Sequence, residues 1–311
     1  GNFSAKLEDS FIFQLRKLNF LISQYVSGQS GVSILDISSF QNLLGSANLL
    51  NYSFYINYEM VLTLDCLPFL CKNIIDIIQS QRALFKKCLI IDLDNTLWGG
   101  IIGDDGLEKI ELGNLGVGKA FVELQYWIKK LKERGVIICV CSKNNEDIAQ
   151  NVFNNHPDMV LSLDDISVFI ANWDSKVDNI KKIQSVLNIN FDSMVFLDDN
   201  PFERNIVKEN IPGIVVPDLP EDPSNYLEFL YKENLFETDS LTSLDKDRTK
   251  LYQVEHKRNK EIKNFTDLTE YMQSLKMIAR VEPLSNFNDD FEFTATFEIF
   301  PEVKDIDVKK I

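Results

Sequence analysis

Asp92 and Asp94 stand one residue apart at the end of an apolar run, Cys88 to Ile91, with Asn95 and Thr96 directly behind them. Two carboxylates held this close are costly to keep ionised without a cation. Three further polar clusters follow, each at the end of an apolar run or at the start of a predicted helix. Ser142, Lys143 and Asn144 come after VIICVC, Lys176 opens a helical stretch, and Asp198-Asp199 closes MVFL. Carboxylates in this number suit a hard cation with oxygen ligands, such as Mg²⁺. A hydroxyl and an ammonium suit a phosphate. A carboxylate can also attack phosphorus, dividing one hard step into two. A neighbouring acid can then give a proton to the leaving oxygen and later take one from water.

The elements that must position these residues are legible from residue 87 onward. Apolar runs rich in β-branched residues (CLIID, VIICVC, MVLSL, MVFLDD, GIVV) alternate with stretches of helical period (KAFVELQYWIKKLKERG, Asn145 to Asn155, SKVDNIKKIQSVLN, NPFERNIVKEN, PSNYLEFLYKE). That alternation predicts an α/β fold, a parallel sheet with helices on both faces. In such sheets ligands bind beyond the carboxyl ends of the strands, where all four clusters fall.

The sequence is read as four parts. Residues 1–85 are predicted to form a small N-terminal α/β piece, with helices at SFIFQLRKLNFLISQY and PFLCKNIIDIIQSQRALF and a short strand at VSILDI. Asp36 and Asp65 stand alone there and read as caps or surface groups. Residues 86–235 form the catalytic core, 236–288 a charged helical extension, and 289–311 a strand-like tail.

Net charge is −15 over 311 residues, which disfavours a nucleic-acid groove and accommodates a divalent cation or a basic partner surface. No apolar run reaches the roughly 18 to 20 residues that cross a bilayer. The start, GNFSAKLEDS, lacks a signal-peptide pattern, so a cytoplasmic protein is expected, with no membrane or nucleic-acid partner. Five cysteines without a paired CxxC, beside two histidines, point to reduced thiols rather than zinc. Lys246, Arg248, Lys250, Lys257, Arg258, Lys260 and Lys263 form a basic cluster in this acidic chain. It reads as a solvated helix face or as a docking patch for an acidic partner.

The series DxDxT, S, K, DD resembles the haloacid dehalogenase (HAD) superfamily of aspartate-nucleophile phosphotransferases. KCLIIDLDNTLWGGIIGDDG, CSKNN, NWDSK and FLDDNPFERN resemble its FkbH-like subfamily, over roughly residues 10 to 288. The resemblance implies Asp92 as nucleophile and Asp94 as general acid/base. It implies Mg²⁺ on the Asp92 side chain, the Asp94 carbonyl and Asp199, with Asp198 in support. Ser142, Lys176 and Asn144 would bind the transferred phosphoryl group, and Thr96 would orient the loop. The short spans from Thr96 to Ser142 and from Ser142 to Lys176 leave no room for a cap domain, so an open, capless core is expected. The WGGIIGDDG flap would shade it, and Trp98 would line the entrance or pack beneath.

FkbH-like proteins resemble enzymes that take the glyceryl group of 1,3-bisphosphoglycerate, release phosphate and load the acyl group onto an acyl carrier protein. Of the two strand cysteines, Cys141, at the correct end of its strand, is the better candidate for an acyl relay, though a buried core cysteine is the more ordinary reading of it; Cys88 lies about 13 Å from Asp92 at the other end. Two alternatives stay open: a phosphohydrolase on a sugar or acid phosphate, and a non-catalytic interaction module. Where subfamily members commonly continue into an acyltransferase-like module, FEFTATFEIFPEVKDIDVKKI is instead similar to a strand segment of trigger-factor chaperones.

Overall fold

The computed structural model describes residues 6–29, 31–82, 84–238, 278–283 and 293–298. The chain divides into two units, Gly1–Lys250 and Leu251–Ile311.

The first unit is built on a parallel sheet of four strands in the order β3-β2-β1-β4, where β1 is Cys88–Ile91, β2 Ile137–Ser142, β3 Val168–Ala171 and β4 Met194–Leu197. Every residue of β1, β2 and β4 is buried. That is the condition under which apolar runs replace alternation, because helices cover both faces. Leu89, Ile91, Ile138, Val140, Val195 and Leu197 point to one side and form a core with Phe121, Leu124, Val152 and Leu230. Those partners come from α7 (Gly116–Glu133), α8 (Glu146–Asn155) and α11 (Tyr226–Glu233). Residues of opposite parity, among them Ile90, Cys139 and Phe196, are equally buried. Helix α9 (Lys176–Leu187) packs on β2, and α10 (Pro201–Asn210) packs on α9.

Two expected strands of the core are not strands. MVLSL has no ladder; the third strand is VFIA, five residues further on. The amides of Val160 and Leu161 instead donate to the buried Gln125 Oε1, at 2.9 and 3.3 Å. The Ser162–Asp165 capping box then winds Leu163–Asp165 into a 3-10 turn. Backbone donors taken by a side chain are lost to a ladder. At GIVV only Val215 pairs, in an isolated parallel bridge to Val195.

The N-terminal region is helical rather than α/β: α1 Phe11–Val26, α2 Ile37–Leu44, α3 Ser46–Leu49, α4 Tyr52–Tyr58 and α5 Leu67–Gln81. Among its described residues the only pairing is the bridge Leu50–Leu62. VSILDI runs into α2 because Asp36 caps that helix, its carboxylate accepting from the Ser38 amide at 2.9 Å. Helix α5 joins the core through Lys72, which donates to the Glu233 carbonyl, and through Asn234, which donates to Asp76 at 3.3 Å.

Between β1 and β2 lie only α6 (Ile102–Asp105) and α7, and between β2 and β3 only α8 and a 3-10 turn, so no domain is inserted over the strand ends. No helix among the described residues is long and apolar enough to cross a membrane. In the second unit, β5 (Ile278–Pro283) pairs antiparallel with β6 (Phe293–Glu298). Residues 278–283 are therefore strand, not part of a helical extension. The basic cluster Lys246–Lys263 lies outside the described residues.

Candidate active site

Strand β1 stops at Ile91 because the chain bends sharply through DLDN. Asn95 adopts φ 55°, a left-handed conformation that Asn tolerates, and its side chain accepts the Gly100 amide at 2.9 Å. The turn lifts Asp92 and Asp94 beyond the sheet. Strand β2 delivers Ser142, whose backbone pairs with Ala171 of β3, and β4 delivers Asp198 and Asp199. Lys176 is the first residue of α9.

Lys176 is the hub. Its Nζ lies 2.9 Å from Asp92 Oδ2 and 2.5 Å from Asp198 Oδ2, and all three residues are buried. Burial works against the Lys176 charge, but the Asp92 and Asp198 carboxylates outweigh it and hold its pKa above the ordinary value. Asp198 is pushed up to about 7, by burial first and then by the charge of Asp92. Asp199 is raised by burial and by Asp92, and Thr96 holds it by accepting its amide at 3.0 Å and donating to its carboxylate at 3.3 Å.

Ligand oxygens of Asp92, Asp198 and Asp199 all lie within 4.8 Å of one another. Three carboxylates against one ammonium leave two negative charges, the charge of one divalent cation. Asp92 Oδ1 is buried and has no hydrogen-bond partner. A buried, unpaired carboxylate oxygen in such a cluster is what a hard cation with oxygen ligands satisfies. The residues present fit Mg²⁺.

Asp94 faces elsewhere. Its Oδ1 accepts from Trp98 Nε1 at 2.9 Å and from the Ile102 amide at 3.1 Å, and its Oδ2 from Asn144 Nδ2 at 2.9 Å. Burial raises its pKa despite these donors, and the charge of Asp92 adds to the rise. Asn144 thus orients Asp94. Lys143 pairs with Glu203 at 2.5 Å. Ser142 is buried at the strand end.

Trp98 does not line an entrance. It is fully buried, edge-on to Phe153 with centroids 6.0 Å apart, and its place among glycines in the sequence hid its role as a donor to Asp94. Cys141 is a core side chain, with its Sγ 3.8 Å from the Lys176 carbonyl; burial pushes its thiol well up, so it does not supply a reactive thiolate. Cys88 sits with its Sγ 3.9 Å from that of Cys139, also buried.

One contributor was missed by sequence reasoning. Arg204 Nη1 donates to the carbonyls of Asp198 and Asp199, at 2.8 and 2.6 Å, and so fixes the loop that carries both acids. The available signal was its place five residues after Asp199, within the first turns of a helix that starts at Pro201.

The charge excess has a consequence for stability. The Asp198 pKa rises from 3.8 unfolded to about 7 folded. Without a cation the folded protein keeps a proton that the unfolded chain releases. The resulting stabilisation is full below the unfolded pKa and lost as pH rises through the folded one. Thermal melts in a chelator are expected to show Tm falling between about pH 4 and pH 7, and Asp198→Asn to flatten that slope. An unchanged slope in the variant counts against this assignment.

Residues 1–79 match the family described as FkbH, N-terminal domain. Comparison with the curated proteins gives no match. Among solved structures, the chain is similar to the N-terminal part of the protein BF1531 from Bacteroides fragilis, which contains a phosphatase domain and is complexed with Mg. Identity is 54%, the TM-score is 0.75, and the match covers 78% of this chain and 64% of that one. The chain thus spans under two thirds of that solved length. A HAD family enzyme from Bacteroides thetaiotaomicron, complexed with magnesium and inorganic phosphate, matches at 15% identity and TM-score 0.31, over 44% of this chain and 95% of that one. The deoxy-D-mannose-octulosonate 8-phosphate phosphatase from Haemophilus influenzae matches at 13% identity and TM-score 0.31, over 61% and 96%. Residues 1–79 thus match an FkbH N-terminal domain, and over 78% of its length the chain is similar to a solved protein part that contains a phosphatase domain.

Proposed function

We propose that the protein is a Mg²⁺-dependent phosphotransferase or phosphatase that forms an aspartyl-phosphate at Asp92. The observation that carries this is the Asp92 carboxylate itself: salt-bridged to Lys176 through one oxygen, unpaired at the other, and grouped with Asp198 and Asp199. Mg²⁺ would be held by Asp92, Asp199 and the Asp94 carbonyl, with Asp198 in support, and supplies charge neutralisation for the phosphoryl oxygens. Lys176, Ser142 and Asn144 line the phosphoryl position.

The Asp92 carboxylate attacks phosphorus and the bond to the leaving oxygen breaks. Asp94, kept protonated more readily by its burial, gives that oxygen a proton. It then takes a proton from water, whose oxygen attacks the phosphorus and releases phosphate with Asp92 restored. Asp94→Asn is expected to lower turnover by about 10²- to 10⁴-fold, the range of general acid–base contributions. Steady-state phosphate release checks it; a loss below tenfold assigns the proton transfer elsewhere.

On substrate, the FkbH resemblance supports 1,3-bisphosphoglycerate, with the glyceryl group loaded onto an acyl carrier protein, for which the basic cluster Lys246–Lys263 would be the contact. A second reading, a phosphohydrolase on a sugar or acid phosphate, is favoured by the burial of Cys141, which leaves no accessible thiol at the strand ends among the described residues. Intact mass of a carrier protein after incubation separates them: an added glyceryl mass establishes loading, and phosphate release without it establishes hydrolysis.

A further inference from the structure

The carboxylate cluster adjoins a cleft of about 480 Å³ that none of the steps above uses. Asp199 belongs to both. Glu111, Phe121, Arg204, Glu221 and Tyr226 stand in the cleft walls, beside proline and aliphatic carbon. The walls are fixed by specific contacts. Glu111 and Gly99 exchange backbone hydrogen bonds of 3.0 and 2.8 Å. A Cβ on Gly99 would come within 2.9 Å of Glu111 and Phe121, so only glycine lets the flap close against them. The Tyr226 hydroxyl donates to the Asn95 carbonyl at 3.3 Å, and its ring meets Phe121 edge-on at 6.4 Å.

Arg204 is the independent observation. It is 6% exposed, its Nη1 is committed to the Asp198 and Asp199 carbonyls, and its buried Nε makes no hydrogen bond. Asp218 Oδ1 lies 3.6 Å from that Nε, an ion-pair distance without a hydrogen bond. A cleft of this size, with apolar walls and a few convergent polar groups, is the usual construction of a small-molecule site. Its charge is one-sided. Apart from Asp199, whose charge the metal cluster takes up, Glu111 and Glu221 are two carboxylates against one guanidinium that already faces Asp218. Hydroxyl groups would find acceptors in Glu111 and Glu221; a further anion would meet repulsion.

We propose that this cleft holds the uncharged, hydroxyl-bearing organic part of the phosphorylated substrate and turns away substrates that carry a second anion there. The proposal rests on phosphoryl transfer at Asp92 and narrows it, toward phosphate esters of sugars or polyols and away from a bisphosphorylated acid.

Three probes and two variants test it. Acetyl phosphate reports the phosphoryl-transfer centre with a group too small to fill the cleft. A hexose 6-phosphate and the matching 6-phosphoaldonate differ by one carboxylate. The wild type is expected to favour the hexose ester by about tenfold or more in kcat/KM, the size of one like-charge contact at intermediate dielectric. The pair Glu111→Gln and Glu221→Gln together is expected to shrink that preference to about threefold or less. Val117 lines the cleft and is 42% exposed, so Val117→Trp fills space without disturbing a core. It is expected to lower kcat/KM for the hexose ester about fivefold more than for acetyl phosphate. An aldonate used as well as the hexose ester, or a Val117→Trp that changes both rates alike, overturns the proposal. If the wild type leaves acetyl phosphate intact, the Asp92 reading fails on its own. Saturation-transfer NMR with the hexose 6-phosphate then still decides the cleft: a signal lost in Val117→Trp supports it, and no signal, or one the variant keeps, overturns it.

Discussion

Asp92→Asn is expected to reduce phosphate release by about 10⁴-fold or more, as removal of a covalent nucleophile does, while the protein stays folded. The amide keeps the size of the carboxylate, so packing against Lys176 is preserved. It also removes one of the three carboxylates that crowd the metal cluster, and with it part of the repulsion that raises Asp198 and Asp199. The metal-free variant is therefore expected to melt no lower than the metal-free wild type. Loss of activity with an unchanged or higher Tm separates a chemical role from a structural one. Intact-mass analysis of rapidly quenched wild type should show an added phosphoryl group that the variant lacks. A variant that retained a tenth of the wild-type rate would place the nucleophile elsewhere.

Lys176→Met is expected to lose both activity and stability. The substitution leaves Asp92 and Asp198 buried with their shared counter-charge gone. Breaking a buried pair by removing one partner costs about 3–5 kcal/mol, which corresponds to roughly 6–20 °C in Tm for a domain of this size. Lys182→Met is the control: its 2.8 Å pair with Asp174 is solvent-exposed on both sides, and such pairs contribute about 0–1 kcal/mol. Mg²⁺ should raise the Tm of Lys176→Met by more than that of the wild type, because the cation then replaces a missing positive charge. Equal melting of the two lysine variants would remove Lys176 from the centre of the cluster.

Most of the core was legible for one reason: a parallel sheet covered on both faces makes each strand a continuous apolar run. CLII, IICVC and MVFL could be recognised without knowing their partners. The places that were not legible are those where a distant side chain intervened. MVLSL has the apolar character of a strand, yet Gln125, from another element, takes two of its amides, and the ladder forms at VFIA instead. VSILDI looked like a strand, but Asp36 caps a helix there. For Trp98, set among glycines, lining the entrance and packing beneath it were equally open, and it is among the most buried side chains of the described residues.

By itself the sequence determined which edge of the sheet carries the polar clusters. Asp92, Asp94, Ser142, Lys176, Asp198 and Asp199 each follow a strand or open a helix, and in a parallel sheet all strand ends converge on one edge. Tertiary structure decided which partners each of them meets. Asp92 and Asp94 are one residue apart and chemically identical, but one meets an ammonium and the other three neutral donors. It also decided that Cys141 is core and that Arg204 and Tyr226 build a cleft beside the carboxylates. Burial and the charge of neighbours set these differences, and both come from chain segments far apart in sequence.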